Sequence, residues 1–123
     1  MRELPKRALT DIDIKKYTSN LPHFRGVFML DTLPKRPKSI ECGVVNLDSK
    51  KGKGTHWVAY YKNKNFKEYF DSFGNLAPPK EIVKYLGADN LRYNYSQHQN
   101  FNTFNCGHLC LNFLYSIVNK KSF

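Results

Sequence analysis

The sequence predicts an α+β domain: a central mixed or antiparallel sheet packed against a helix near the C-terminus. Three observations carry this. Leu109, Cys110, Phe113, Leu114, Ile117 and Val118 recur at helical spacing within Cys106–Asn119 and make a broad apolar face. Thr55–Lys62 (THWVAYYK) has the β-branched and aromatic composition of a central strand, and Phe66–Phe70 returns beside it after a polar turn. The order helix, strands, helix, strand, helix contains no repeat and no low-complexity linker, so residues 1–123 read as one domain.

Taken in order, Thr10 followed by Asp11, Asp13 and the Ile14/Tyr17/Leu21 spacing predicts a short helix capped by Thr10, with Pro22 closing it. Phe24–Leu30 reads as a strand, and Pro34-Lys35-Arg36-Pro37-Lys38 as a basic loop. Ser39–Leu47 follows as a second strand, then Lys50-Lys51-Gly52-Lys53-Gly54 as a basic turn. Lys62-Asn63-Lys64-Asn65 turns the hairpin between Thr55–Lys62 and Phe66–Phe70. Pro78-Pro79 starts a helix that runs to Leu86, with Gly87 placed to end it, and Leu91–Tyr95 is a last short strand.

Composition narrows the partners. With 20 Lys+Arg against 10 Asp+Glu, the formal charge is +10, a balance that favours a polyanion such as nucleic acid through phosphate neutralisation. Three cysteines cannot all pair within the chain. Met1–Thr10 is short, charged and holds a proline, unlike a secretory signal, and no stretch approaches the ~20 apolar residues that cross a membrane. The expectation is an intracellular protein with reduced thiols, in which an unpaired cysteine is a candidate for chemistry.

Cysteine hydrolysis needs a thiolate, a base that forms and holds it, a group that orients the base, and donors for the oxyanion. Cys106 stands where the loop Asn100–Asn105 meets the predicted helix, so the positive end of the helix dipole favours its thiolate. Gly107 permits close backbone approach beside it. The Cys106 amide, at a helix start, lacks an intrahelical partner and is available to an oxyanion. His56 begins the central strand after a Gly-rich turn, and Asp71 ends the strand paired with it, in reach of the imidazole by hairpin register. Gln99, seven residues before Cys106, offers a neutral amide donor, with Gln97 as its rival. Each residue alone has a plainer role, as core thiol, surface imidazole, turn carboxylate or solvated amide. Cys106, His108 and Cys110 also raise a metal site, but on a helix 106 and 110 share a face that 108 does not.

Together these segments carry a resemblance. Gly54-Thr55-His56-Trp57-Val58-Ala59-Tyr60 resembles the histidine strand of adenain-like cysteine proteases, and Tyr69-Phe70-Asp71-Ser72-Phe73-Gly74 resembles their acidic segment. Gln99, six intervening residues, then Cys106-Gly107-His108-Leu109-Cys110 is similar to their glutamine-to-cysteine segment. Phe24-Arg25-Gly26-Val27-Phe28, with Asp31 and Pro34, looks like the upstream strand in adenain-like proteases of large DNA viruses, virophages and Polinton-type transposons. SUMO-specific and related ubiquitin-like proteases share the order His, Asp, Gln, Cys, usually with the glutamine one residue closer to the cysteine.

The resemblance implies a nucleophile, Cys106, on the N-terminus of the C-terminal helix, with His56 as base, Asp71 orienting it and Gln99 in the oxyanion hole. It implies that Trp57 flanks the active site. It implies capsid or core precursor proteins as substrates, cut at Gly-Gly or Gly-X sites in a host nucleus or virion by a monomer that needs no cofactor for the chemistry. Adenovirus protease is activated by a viral peptide and DNA. Lys35, Arg36, Lys38, Lys50, Lys51 and Lys53 are the candidate DNA contacts. A ubiquitin- or SUMO-like deconjugase and a basic DNA-binding module without activity are the competing readings.

Overall fold

The computed structural model describes residues 9–47, 56–72, 74, 77–93 and 106–121. Its elements are α1 (Asp11–Tyr17), β1 (Phe24–Met29), β2 (Glu41–Asn46), β3 (Trp57–Lys62), β4 (Lys67–Phe70), α2 (Lys80–Leu86), β5 (Leu91–Tyr93) and α3 (Cys106–Lys121). The five strands lie in the order β1-β2-β3-β4-β5, a mixed sheet in which β2/β3 and β3/β4 are antiparallel and both outer pairs parallel. Among the described residues no helix is long and apolar enough to cross a membrane.

Local chemistry sets most boundaries. Thr10 caps α1 reciprocally: its hydroxyl accepts the Asp13 amide at 3.2 Å, and its own amide donates to the Asp13 carboxylate at 2.9 Å. The helix stops at Tyr17, five residues before Pro22: Thr18 makes the last helical bond, its amide to the Ile14 carbonyl at 3.1 Å, but its backbone leaves helical geometry at φ −108°, ψ 3°. The Asn63 side chain accepts the amides of Asn65 and Phe66 and turns the β3–β4 hairpin as predicted. Gly87 ends α2 with φ +87°, a conformation that favours glycine.

The central strand is buried on both faces. Cys42, Val44, Trp57, Ala59, Tyr61 and Phe70 face α1 and α3, whereas Val45, Val58, Tyr60 and Tyr69 face α2 through Ile82, Tyr85 and Leu86. This period-2 division yields three layers, with α1 and α3 on one side of the sheet and α2 on the other. The core stripe of α3 is Cys110, Leu111, Leu114, Ile117 and Val118. Leu109 and Phe113, expected in the stripe, lie only partly buried at its edge, and Leu111 is fully enclosed instead.

One end of the sheet is fastened by a buried charge. Glu41, 1% exposed, pairs with Arg25 at 3.0 Å and accepts the Lys38 amide and the hydroxyls of Tyr60 and Tyr85. With every lone pair engaged, the carboxylate ties β1, β2, β3 and α2 together. The opposite end of β2, five residues away and roughly 17 Å along the strand, is left for the chain crossings that build the site.

Candidate active site

Three segments distant in sequence converge at that free end. His56 immediately precedes β3, and its carbonyl accepts the Leu47 amide at 2.9 Å, which extends the β2–β3 ladder and fixes the backbone beneath the ring. Asp71 immediately follows β4, whose register pairs Phe70 with Ala59 and so brings the carboxylate level with the start of β3. Cys106 is the first residue of α3 and is 8% exposed.

The His56 Nε2 and Asp71 Oδ1 atoms are 2.8 Å apart, with Asp71 only 1% exposed. Nε2 faces the carboxylate, and Cys106 lies close enough to the ring to help raise the imidazole pKa. The Trp57 backbone amide also donates to Cys106 Sγ, at 3.4 Å, and the adjacent Gly107 amide adds to the lowering of the thiol pKa.

Electrostatics then separate the two partners. Burial pulls the His56 pKa down, but hydrogen bonds to Asp71 and to Cys106 outweigh it and raise the imidazole to about 9. Burial pushes the Cys106 thiol up, but the His56 hydrogen bond and the Trp57 amide outweigh it and the thiol falls below its ordinary value. Both shifts favour the imidazolium–thiolate pair over the neutral pair. The other thiols behave in the opposite way. Cys42, buried in β2 beside Glu41, is pushed up to about 12, and the fully enclosed Cys110 well above its ordinary value. Among the described residues no cluster of three His, Cys, Asp or Glu side chains is arranged to hold a metal ion.

Of the residues singled out in the sequence, His56, Asp71 and Cys106 are brought together. Gln99, with Gln97, lies outside the described residues, as do Lys50, Lys51 and Lys53. Trp57 adjoins the nucleophile, but its ring is 6% exposed and its indole N–H donates to the Leu9 carbonyl at 2.9 Å. What it turns toward the thiol is its backbone amide. Lys35, Arg36 and Lys38 are exposed; the Arg36 carbonyl accepts from Arg25 at 2.8 Å and the Lys38 amide donates to Glu41, which places these two at the end of β2 opposite the one that adjoins His56.

Two contacts escaped the sequence reading. The space beside Gly107 is taken by Leu9 and Trp57: a Cβ there would lie 3.1 Å from Leu9 Cβ and 3.3 Å from Trp57 Cδ1. The close approach that Gly107 permits is made by the protein's own side chains. Leu9 was signalled only as the apolar residue before the Thr10 cap, in position to staple onto Ile14, and both are buried.

No family model and no curated protein matches the chain. Solved structures do. An ASFV protease superposes with a TM-score of 0.64 at 18% identity, covering 94% of this chain and 60% of that one. The SUMO protease Ulp1, with its catalytic cysteine oxidised to a sulfinic acid, gives 0.58 at 19% identity, covering 94% of this chain and 68% of that one. The Ulp1 protease domain in complex with Smt3, the yeast ortholog of SUMO, gives 0.56 at 19% identity with coverages of 94% and 68%. The chain thus has the fold of adenain-like and SUMO-protease-type cysteine proteases, and spans about 60% of the length of the ASFV enzyme.

The thiol assignments are open to direct measurement. In the folded protein at neutral pH, iodoacetamide is expected to alkylate Cys106 well before Cys42 or Cys110, read by peptide mass mapping. Asp71→Asn removes the charge that holds the His56 proton, so the His56 pKa falls and the Cys106 pKa rises. Alkylation of Cys106 at pH 6 then slows, about tenfold for a thiol pKa higher by one. Faster labelling of Cys42 or Cys110, or an Asp71→Asn profile identical to the parent, would contradict the site.

Proposed function

We propose that this protein is a cysteine endopeptidase with Cys106 as nucleophile and His56 as base. The observation that carries the proposal is the 2.8 Å contact between His56 and the enclosed Asp71, with Cys106 near enough to act on the imidazole. In the first step the thiolate adds to the scissile carbonyl carbon and the π pair moves onto oxygen. Collapse expels the amine, which leaves with the proton of the imidazolium, and a thioester remains on Cys106. A water then attacks the thioester and gives its proton to His56. Collapse releases the carboxylic acid and restores the thiolate–imidazolium pair.

The Cys106 amide, at the first position of α3, has no carbonyl partner within the helix and suits the oxyanion. The Gln99 side chain is assigned as the second donor from its place in the glutamine-to-cysteine segment. The substrates we assign are capsid or core precursors of a DNA virus or transposon, cut at Gly-Gly or Gly-X sites. The likeness to the Ulp1 domain solved with Smt3 supports a second reading, in which the acyl group is the C-terminus of a ubiquitin-like modifier.

The wild-type protein is expected to hydrolyse a fluorogenic Gly-Gly-type peptide, with Cys106→Ser lowering kcat/KM by about 10³-fold or more. Undiminished cleavage by Cys106→Ser would sink the mechanism. Covalent capture by a ubiquitin- or SUMO-type modifier with a C-terminal electrophile, without cleavage of short peptides, would move the assignment to the second reading.

The charge of +10 supports DNA as an additional partner, held by Lys35, Arg36, Lys38, Lys50, Lys51 and Lys53. Replacing Lys35, Arg36 and Lys38 together by Ala is expected to weaken duplex binding and reduce its log–log salt slope by about 3. An unchanged slope would remove this loop from the DNA surface.

A further inference from the structure

The Trp57 backbone amide donates to the Cys106 sulfur at 3.4 Å, and the Gly107 amide adjoins that sulfur along the chain and helps lower the thiol pKa. Both belong to residues that lie against Leu9. Leu9 is 4% exposed, packs in one cluster with Trp57 and Cys106, and its Cβ and Cδ1 fill the space beside the Gly107 Cα. Its carbonyl accepts the Trp57 indole N–H at 2.9 Å, which fixes the ring above the strand whose first amide points at the thiol.

Leu9 is itself held from behind. The residue after it is the Thr10 cap of α1, and α1 is fastened to α3 at its other end by a hydrogen bond from the Tyr115 hydroxyl to the Tyr17 carbonyl. The segment therefore spans the first turns of α3. One end bears on the residue next to the nucleophile and the other is anchored further along the helix.

We propose that Leu9 is a positioning residue for the nucleophile, clamping the two peptide units, at Trp57 and Gly107, whose amides border the Cys106 sulfur. It touches neither substrate nor reacting atoms. It acts by holding Trp57 and Gly107 where their N–H groups stay beside Sγ, so that the thiolate keeps them when the imidazolium gives up its proton. This extends the endopeptidase reading, since a relaxed clamp weakens the nucleophile without touching His56 or Asp71.

The test is the pH dependence of Cys106 alkylation by iodoacetamide, followed by peptide mass mapping in the full chain. It reads the thiolate directly and needs no peptide hydrolysis. Leu9→Ala is expected to move the midpoint upward and slow labelling at pH 6 by about five- to tenfold, a pKa higher by one leaving about a tenth of the thiolate. Leu9→Met, which nearly conserves volume, is expected to restore the parent profile. Trp57→Phe keeps a ring but deletes the N–H given to the Leu9 carbonyl, and is expected to shift the midpoint in the same direction. It supplies the reading should Leu9→Ala fail to fold. A parent-like midpoint in Leu9→Ala accompanied by a lower melting temperature would overturn the proposal and leave Leu9 a packing residue. So would a parent-like midpoint in Trp57→Phe. Shifted midpoints in a protein that cleaves no peptide would uphold the clamp and count against the endopeptidase reading alone.

Discussion

The Asp71 carboxylate, closed off from water at the end of β4, is the charge on which the rest of the site depends. A buried carboxylate without a cationic partner neutralises, because burial penalises the charged form. Here its partner is His56, and the contact makes a buried imidazolium tolerable where burial alone would strip its proton. A retained imidazolium in turn makes a buried thiolate tolerable at Cys106. Asp71 and Cys106 both favour the His56 imidazolium, and His56 in turn favours the Cys106 thiolate. The three side chains are therefore one electrostatic unit rather than three adjacent residues.

The architecture serves that unit by dividing labour between the two ends of the sheet. At one end Glu41 gathers Arg25, Tyr60 and Tyr85 and fixes the relative placement of β1, β2, β3 and α2. At the other, strand ends and a helix start supply the reacting groups. A strand end sets the direction of one side chain and leaves it free on its outer side. A helix start adds unpartnered amides and a favourable dipole. The solved proteases share the fold, although no family model matches the sequence.

Much of this was legible in the sequence where the cause is local. The Thr10 capping box, the Asn63 turn and the Gly87 terminus each rest on residues within a few positions of one another. The His56, Asp71 and Cys106 set was legible because strand ends and a helix start place them without knowledge of packing. The phase of α3 was not: with apolar residues at most positions from Leu109 to Val118, periodicity alone does not decide between Leu109 and Leu111. Glu41 read as an ordinary strand residue, since its partners at Arg25, Tyr60 and Tyr85 are joined to it only by the fold. Leu9 escaped notice for the same reason. Of the basic residues expected to contact DNA, Lys50, Lys51 and Lys53 lie outside the described residues, and Arg36 and Lys38 adjoin Arg25 and Glu41 at the end of β2 away from His56.

The central claim is that His56 is an imidazolium held by Asp71 and by the Cys106 thiolate. The most direct measurement is an NMR titration of the His56 ring in the wild-type protein and in Cys106→Ala. The wild-type ring is expected to keep its proton up to about pH 9, and the pKa to fall when the thiolate is removed, because Cys106 is one of the groups that raise it. A wild-type His56 that titrates near the ordinary ~6.5, with no response to Cys106→Ala, would contradict the account.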